Sequence, residues 1–189
     1  MPRPGLGVDW CAMATPKPPE PVTLIIGMLS SDLELLAAAE AKLASLYGRV
    51  DLRSPTIGFN FTDYYEPEMG PHLKRRLISF ADRINPGELA AIKVRTNELE
   101  QEFAQAERPV PRPVNLDPGY ICGSKLVLAS AKDRAQRIYL GQGIYAEITL
   151  DYRKGRFVPV ETTYPDYRSR EYIEFFAEVR RRHLVWGAG

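Results

Sequence analysis

The residues with the clearest capacity for chemistry lie in one short segment of the chain, residues 60–70. Three carboxylates, Asp63, Glu66 and Glu68, fall within six positions there, next to two adjacent tyrosines. A basic run at residues 74–76 follows shortly after. A hydrophobic core has no use for such a concentration of charge. We therefore expect this acidic-aromatic segment, as we call residues 60–70, to bind a ligand or to take part in catalysis.

Carboxylate oxygens are the ligands that Mg²⁺ and Mn²⁺ prefer, because both ions are hard cations. The predicted metal ligands are Asp63, Glu66, Glu68 and, further along the chain, Glu147. Three of these, Asp63, Glu66 and Glu147, are also the predicted catalytic residues. The alternative interpretation is a solvated acidic loop whose charges form unrelated surface ion pairs.

A site that holds metal and phosphate also needs cations, and tyrosines beside arginines can stack on a base. Packing with the hydroxyl at the surface is the other common role of such tyrosines. A polar loop at residues 163–168 could cover the site through Asp166 or Arg168, or could equally be a turn with an aromatic anchor. These features predict a cleft for a nucleotide or a phosphorylated small molecule. Its predicted ligand-binding residues are Arg75, Arg76, Lys93, Lys125, Arg137, Tyr65, Tyr139, Asn115 and Asp117.

The composition is that of an ordinary globular protein. The chain has 189 residues, of which 44% are hydrophobic and 26% charged, and this length favours one domain. A net charge of +1 creates no overall field for nucleic acid or an anionic membrane, so neither is an expected partner. Two cysteines make no disulfide framework, and no apolar run approaches the ~20 residues that span a bilayer. We expect a cytoplasmic protein.

The first 20 residues contain five prolines and no continuous apolar run. This composition predicts a disordered leader, or a chain that truly starts at Met13. The folded domain is then expected at residues 21–185. Within it, residues 22–29 form an apolar, β-branched run that predicts a central strand buried on both faces.

Two helices are predicted in the first half of the domain. The first runs to about Tyr47, with a capping box made by Ser31 and Glu34, a buried stripe and Gly48 as terminator. Its predicted buried stripe is Leu36, Ala39, Leu43 and Leu46. The second begins at Asn85 as N-cap, with Pro86 next. On this second helix the glutamates Glu98, Glu100 and Glu102 are expected to be solvated.

The second half of the domain shows turn and hairpin patterns. Asp117–Pro118–Gly119 is typical of a tight turn, and residues 125–130 favour a strand. Residues 137–150 predict a hairpin whose second strand turns Ile144, Ala146, Ile148 and Leu150 to the core and Glu147 to the other face. A last helix follows Ser169. The sum is one α+β domain with a mixed or mostly antiparallel sheet and about three packed helices.

Several motifs together resemble one known family. They lie at residues 61–70, 96–100, 115–120, 125–129, 137–147 and 163–168. The chain is similar to a prokaryotic domain-of-unknown-function family whose members are often labelled "GTP-binding protein". The resemblance covers roughly residues 21–183 and implies nucleotide binding at most, because no established activity comes with it.

The residues themselves argue against a P-loop GTPase. The spacing Gly119, Gly123 and Lys125 does not fit a phosphate-binding loop, no Ser or Thr follows the lysine, and no Asn-Lys-x-Asp sequence is present. Nucleotide binding through another geometry stays open. The alternative function is a non-enzymatic module that contacts protein or RNA through the acidic-aromatic segment.

Overall fold

The computed structural model describes residues 15–105 and 109–186, and it confirms a single α+β domain. Residues 15–20 are exposed and lack regular structure, while the rest of the predicted leader lies outside the described residues. The strands are β1 Val22–Ser30, β2 Val50–Arg53, β3 Ile57–Gly58, β4 Lys74–Ile84, β5 Asn115–Ile121, β6 Lys125–Ser130, β7 Ile138–Gly141, β8 Ile144–Arg153 and β9 Arg156–Pro159. The helices are α1 Leu33–Tyr47, α2 Glu66–Met69, α3 Leu89–Gln105 and α4 Arg170–Trp186.

The nine strands form one sheet in the order β2-β4-β1-β5-β6-β8-β7, with β3 paired to β4 and β9 paired to β8. All of these pairings are antiparallel, which confirms the predicted sheet type. Among the described residues, no helix is long and apolar enough to cross a membrane.

Strand β1 is the centre of the fold, and all nine of its residues are buried. On one face Leu24, Ile26 and Met28 pack with residues of α1 and α3. On the other face Ile25 packs with residues of α4, among them Phe176. The prediction of a strand buried on both sides is confirmed, and the reason is that helices cover both faces of the sheet.

Helix α1 ends as predicted but begins differently. Its N-cap is Asp32, whose carboxylate accepts hydrogen bonds from the amides of Glu34 and Leu35 at 2.8 and 3.1 Å, so the predicted Ser31 capping box is wrong. An Asp one position nearer the helix satisfies the same free amides. Gly48 terminates the helix with φ +87°. On the buried stripe Leu35 replaces Leu46, which is 44% exposed.

Helix α3 is preceded by the predicted cap, in which the Asn85 side chain accepts from the Gly87 amide at 2.8 Å. A single 3₁₀ turn, Pro86–Glu88, leads into it. The prediction that Glu100 is solvated is wrong, because this residue is buried and accepts a hydrogen bond from the Leu116 amide at 2.8 Å. Lys93, two turns earlier on the same side of the helix, is buried as well.

The predicted turn at Asp117–Pro118–Gly119 is also wrong, since these residues lie inside β5. Pairing of β5 with β6 begins only at Gly119, so Pro118 faces no ladder partner on that side and its missing N–H is tolerated. Gly119 is required for a different reason than a turn. A Cβ there would lie 2.3 Å from the carbonyl oxygen of Val127. The two strands therefore approach too closely for any side chain.

The hairpin predicted at residues 137–150, formed by β7 and β8, and the strand at 125–130 are confirmed, but the face pattern of β8 changes partway along that strand. Leu126 pairs with Leu150 and Val127 with Ile148, so Thr149 is an extra residue in a β-bulge. Glu147 and Thr149 are buried, and Ile148, which was predicted to face the core, is 45% exposed. A period of two residues cannot anticipate such a bulge.

Gly119→Ala should destabilise the protein by about 2–3 kcal/mol, because its methyl group would force β5 and β6 apart. The measurement is urea unfolding followed by circular dichroism. Gly58→Ala is the matched control, since the nearest side-chain atom to its Cβ would be 3.7 Å away, and we expect it to change the unfolding free energy little. Equal effects of the two substitutions would contradict this account of β5.

Candidate functional site

A cavity of about 590 Å³ opens beside the middle of the sheet, a size typical of small-molecule sites. Its walls come from several parts of the chain. They are residues 59–65, the strands β4, β5 and β8, helix α3, Arg112, the end of β6 with the connection after it (residues 128–137), and the loop at residues 164–167. The acidic-aromatic segment thus contributes its aromatic half to one wall.

Arg75 is a deeply buried charge of this cavity. Its side chain is 3% exposed, and its guanidinium donates to the Asp117 carboxylate at 2.9 Å and to the Asp166 carboxylate at 3.2 Å. To reach Asp117 on β5 it crosses β1 at Gly27, where a Cβ would lie 3.0 Å from Arg75 Nη1. A glycine inside this buried strand is therefore explained by the guanidinium that passes over it.

The two carboxylates on Arg75 differ in their protonation behaviour. Burial raises the pKa of Asp166, and Asp117 adds to that effect while Arg75 opposes it. Burial also acts on Asp117, but Arg75 and Lys93 outweigh it and lower the pKa of that carboxyl below its usual range. One guanidinium thus holds two carboxylates with opposite shifts, an arrangement that can keep one acid and one base in a single site.

A further layer of charge lies behind Asp117. Lys93 donates to the carbonyl oxygen of Leu116 at 2.7 Å and lies 3.8 Å from the Asp117 carboxylate. Arg112 donates to Glu100 at 2.9 Å and to the side-chain oxygen of Asn115. Asn115 in turn donates to Asp117 at 2.7 Å. These contacts fix the side chains at the floor of the cavity.

On the opposite wall Arg137 is held by four groups. It donates to Ser130 Oγ and the Lys132 carbonyl oxygen at 2.7 Å each, to Glu147 at 3.0 Å and to the Tyr164 hydroxyl at 2.7 Å. Its side chain and that of Glu147 are nearly fully buried. The guanidinium is therefore positioned before any ligand arrives.

Aromatic side chains line the cavity beside these charges. Tyr65 packs edge-on against Phe59 with ring centroids 5.8 Å apart, and burial raises its pKa to about 12. Its neighbour Tyr64 is exposed and accepts a hydrogen bond from Lys132 Nζ at 2.7 Å, which lowers the pKa of Tyr64. This contact joins the acidic-aromatic segment to the β6–β7 connection.

The lining carries more positive than negative charge. Six cations, Arg75, Lys93, Arg112, Lys132, Arg134 and Arg137, face three carboxylates, Asp117, Glu147 and Asp166. The surplus is greatest at the connection between β6 and β7, where Lys132 and Arg134 are exposed. Such a surplus in a concave site attracts anions.

Seven of the predicted site residues line the cavity together: Arg75, Lys93, Arg137, Tyr65, Asn115, Asp117 and Glu147. The other six, Asp63, Glu66, Glu68, Arg76, Lys125 and Tyr139, are not among its lining residues. Glu68 lies 3.6 Å from Arg112, Arg76 hydrogen-bonds Thr56 and Glu40, and Lys125 pairs with β8 beside Asp151. Asp63, Glu66 and Tyr139 are at the surface or only partly covered.

The four predicted metal ligands do not lie together either. Asp63, Glu66 and Glu68 belong to one exposed segment, whereas Glu147 is buried against Arg137. In the part of the chain that the structure describes, no group of three or more His, Cys, Asp and Glu side chains is arranged to hold a metal ion.

Three cations of the cavity were not predicted: Arg112, Lys132 and Arg134. Arg112 stands between two prolines and is typical of a linker in sequence. Lys132 and Arg134 stand in a polar connection without a recognisable motif. Only their position between two predicted strands, next to the predicted ligand residue Arg137, was a usable signal.

Of the two residues proposed to cover the site, Asp166 lines the cavity, while Arg168 bonds to backbone carbonyls of residues 160–163.

Arg75→Met should destabilise the protein by about 3–5 kcal/mol, because it leaves two buried carboxylates without their cation. Arg153→Met removes an arginine that is 70% exposed and should change the unfolding free energy by less than about 0.5 kcal/mol. Urea unfolding at neutral pH measures both.

The loss of unfolding free energy in Arg75→Met should also depend on pH. Arg75 lowers the pKa of Asp117 in the folded protein. The stability that this ion pair contributes is therefore present above the pKa of Asp117 in the unfolded chain, and it disappears as pH falls through the pKa of Asp117 in the folded protein. The difference between Arg75→Met and the unaltered protein should therefore shrink below about pH 4. A difference that stays constant from pH 7 to pH 3 would contradict the assignment.

Tyr64 and Tyr65 should titrate far apart, because one donor lowers the pKa of Tyr64 while burial raises that of Tyr65 to about 12. Tyrosine ring carbons followed by NMR against pH separate the two residues. Lys132→Gln should raise the pKa of Tyr64, because it removes the hydrogen-bond donor that lowers it, and leave the pKa of Tyr65 unchanged. If both tyrosines responded to that substitution, the contact across the cavity would be misplaced.

Comparison with known proteins agrees with the resemblance seen in the sequence. The family model described as "Domain of unknown function (DUF4416)" matches residues 20–183. No curated protein matches the chain. Because the family model covers nearly the whole folded domain, the chain belongs to this family of unknown function.

Proposed function

We propose that this protein binds a nucleotide, or another phosphorylated small molecule with a planar group, in the 590 Å³ cavity. The observation that carries the proposal is the lining itself, in which six cations face three carboxylates among aromatic rings. Anionic phosphates need the cations, and planar bases favour the aromatic rings.

The phosphates are assigned to the β6–β7 connection. Lys132 and Arg134 are exposed there, and Arg137 is fixed by Ser130 and Glu147. Arginine and lysine together suit phosphate, because one supplies a rigid fork and the other a mobile point charge. Glu147, predicted as a catalytic residue and metal ligand, has in this proposal the role of positioning Arg137.

The planar group is assigned to the wall made by Phe61, Tyr64 and Tyr65. Tyr64 lies edge-on to Tyr65 with centroids 5.2 Å apart, and Lys132 Nζ lies 4.7 Å from the Tyr64 ring centroid. A base that stacks here would place its phosphates within reach of Lys132. Asn115 and Asp117 at the floor offer a donor and acceptors for its polar edge.

A divalent ion enters the proposal with the ligand. Mg²⁺ in nucleotide sites is held by phosphates, water and only one or two carboxylates. This mode does not require the four predicted carboxylates to lie together. The binding measurement is therefore made with and without magnesium.

A thermal-shift screen of the full chain against ribonucleotides, with and without MgCl₂, tests the proposal. A ligand at 100 times its Kd stabilises the folded state by about 2.7 kcal/mol, which raises the Tm of a domain of this size by several degrees. Absence of any shift at millimolar nucleotide, with or without magnesium, would overturn the proposal.

Lys132→Gln and Arg134→Gln should each weaken binding of the best nucleotide about tenfold, because each removes a charged hydrogen bond to phosphate. Both residues are exposed, so the fold should be unaffected. Arg153→Gln, an arginine outside the cavity lining, is the control. Calorimetric titration measures all three, and equal affinities in the three variants would contradict the placement of the phosphates.

One observation favours a second candidate, a non-enzymatic interaction module. Strand β7 is at the end of the sheet, and Ile138, Tyr139 and Leu140 are 73%, 59% and 43% exposed. An exposed apolar edge strand is a template for pairing with a strand of another protein. Tyr139→Lys should abolish capture of such a partner and leave nucleotide binding intact, whereas Lys132→Gln should do the reverse.

A further inference from the structure

A second cavity, of about 340 Å³, lies at the opposite end of the β1–β4 ladder. Thr23 pairs with Arg83 at this end, whereas Leu29 pairs with Arg75 beside the first cavity. Six residues of extended strand separate the two positions by roughly 20 Å. The two cavities are therefore independent sites.

Four arginines line the second cavity, with Asp51 as its carboxylate: Arg49, Arg83, Arg181 and Arg182. They come from three places in the fold, namely the residue before β2, the end of β4 and the end of α4. Cations at a helix C-terminus stabilise the helix, which accounts for Arg181 and Arg182. Helix stabilisation does not account for Arg49 and Arg83, which the sheet brings to the same place.

The nearby carboxylates neutralise only part of this charge. Glu178 accepts from Arg181 at 2.6 Å and from Arg182 at 2.9 Å. Asp51 lies 3.2 Å from Arg182. Even with Glu178 included, four guanidinium groups face two carboxylates in the part of the chain that the structure describes. Like charges held round one concavity repel each other, and an anion between them removes that cost.

Arg83 connects the cavity to a histidine. Its guanidinium donates to Thr23 Oγ1 and, at 3.4 Å, to the carbonyl oxygen of Arg182. Thr23 Oγ1 lies 2.9 Å from His183 Nδ1. Burial lowers the pKa of His183, and the positive charges of Arg83 and Arg180 lower it further. Burial lowers the pKa of Arg83 too, against the opposite effect of Asp51.

We propose that this second cavity binds a compact oxyanion of the phosphate type, a free phosphate or the phosphoryl group of a small metabolite, between Arg49 and Arg83 of the sheet and Arg181 and Arg182 of α4. Arginine forks match the oxygen spacing of such a group. A single-stranded nucleic acid is the less suitable occupant, because the lining residues that the structure describes include no aromatic side chain on which a base could stack.

Sulfate is the probe for the test, because it carries two charges and does not titrate near neutral pH. The chain has two histidines, and both imidazoles can be followed by NMR in the full-length protein. His72 lies two residues before β4, and Arg83 lies near the other end of that strand, roughly 30 Å away. His72 is therefore an internal reference for His183.

Sulfate should raise the pKa of His183 in a saturable manner, because the anion offsets the charge of Arg83, and should leave the imidazole signals of His72 in place. Sodium chloride at equal ionic strength separates binding from screening. An equal response to chloride, or the same response at both histidines, would overturn the proposal.

Arg49→Gln should weaken the sulfate effect about tenfold, since it removes one charged contact from an exposed position. Arg95→Gln, on the exposed face of α3, is the matched control and should bind sulfate normally. Pyrophosphate and glucose 6-phosphate then distinguish a free phosphate from a phosphoryl group. Unchanged sulfate binding in Arg49→Gln, or a response to single-stranded RNA with none to sulfate, pyrophosphate or the sugar phosphate, would refute the assignment.

Discussion

Arg75 carries a permanent positive charge on a side chain that is 3% exposed, and the groups at the floor of the cavity are arranged to stabilise that charge. Removing a guanidinium from water costs several kcal/mol, which only close carboxylates with good geometry can offset. Asp117 and Asp166 supply them at 2.9 and 3.2 Å. The first belongs to β5 and the second to the loop before α4, so one side chain ties two distant parts of the chain to β4.

The consequences extend along the sheet. Asp117 can serve Arg75 only if β5 continues through Pro118, and Arg75 can reach it only across a residue without a side chain, Gly27. The negative charge of Asp117 is shared with Lys93 and Asn115. Arg112 and Glu100 then hold Asn115 and the amide of Leu116. The floor of the cavity is thus a hydrogen-bonded network in which each member fixes the next, as preorganised sites require.

How far the sequence predicted this structure depended on the range of the interactions involved. The buried strand at residues 22–29, the end of α1 at Gly48 and the hairpin at residues 137–150 follow from patterns within a few residues, and all are confirmed. Burial of Lys93 and Glu100 depends on partners in other elements, so a helical pattern assigned Glu100 to solvent. The turn chemistry of residues 117–119 was overridden by the neighbouring strands β1 and β6. Arg75 and Asp166 are 91 positions apart. A sequence pattern can single out each of the two residues, but it cannot show that their side chains are in contact.

The central claim is that the network on Arg75 supports a ligand site between the aromatic wall at residues 59–65 and the basic connection at residues 130–137. Hydrogen–deuterium exchange, followed by mass spectrometry with and without a saturating mixture of ribonucleoside triphosphates and magnesium, tests the location directly. The account predicts slower exchange in peptides that cover these two segments, with β9 unchanged. Protection that spares both segments, or no protection at all, would contradict it.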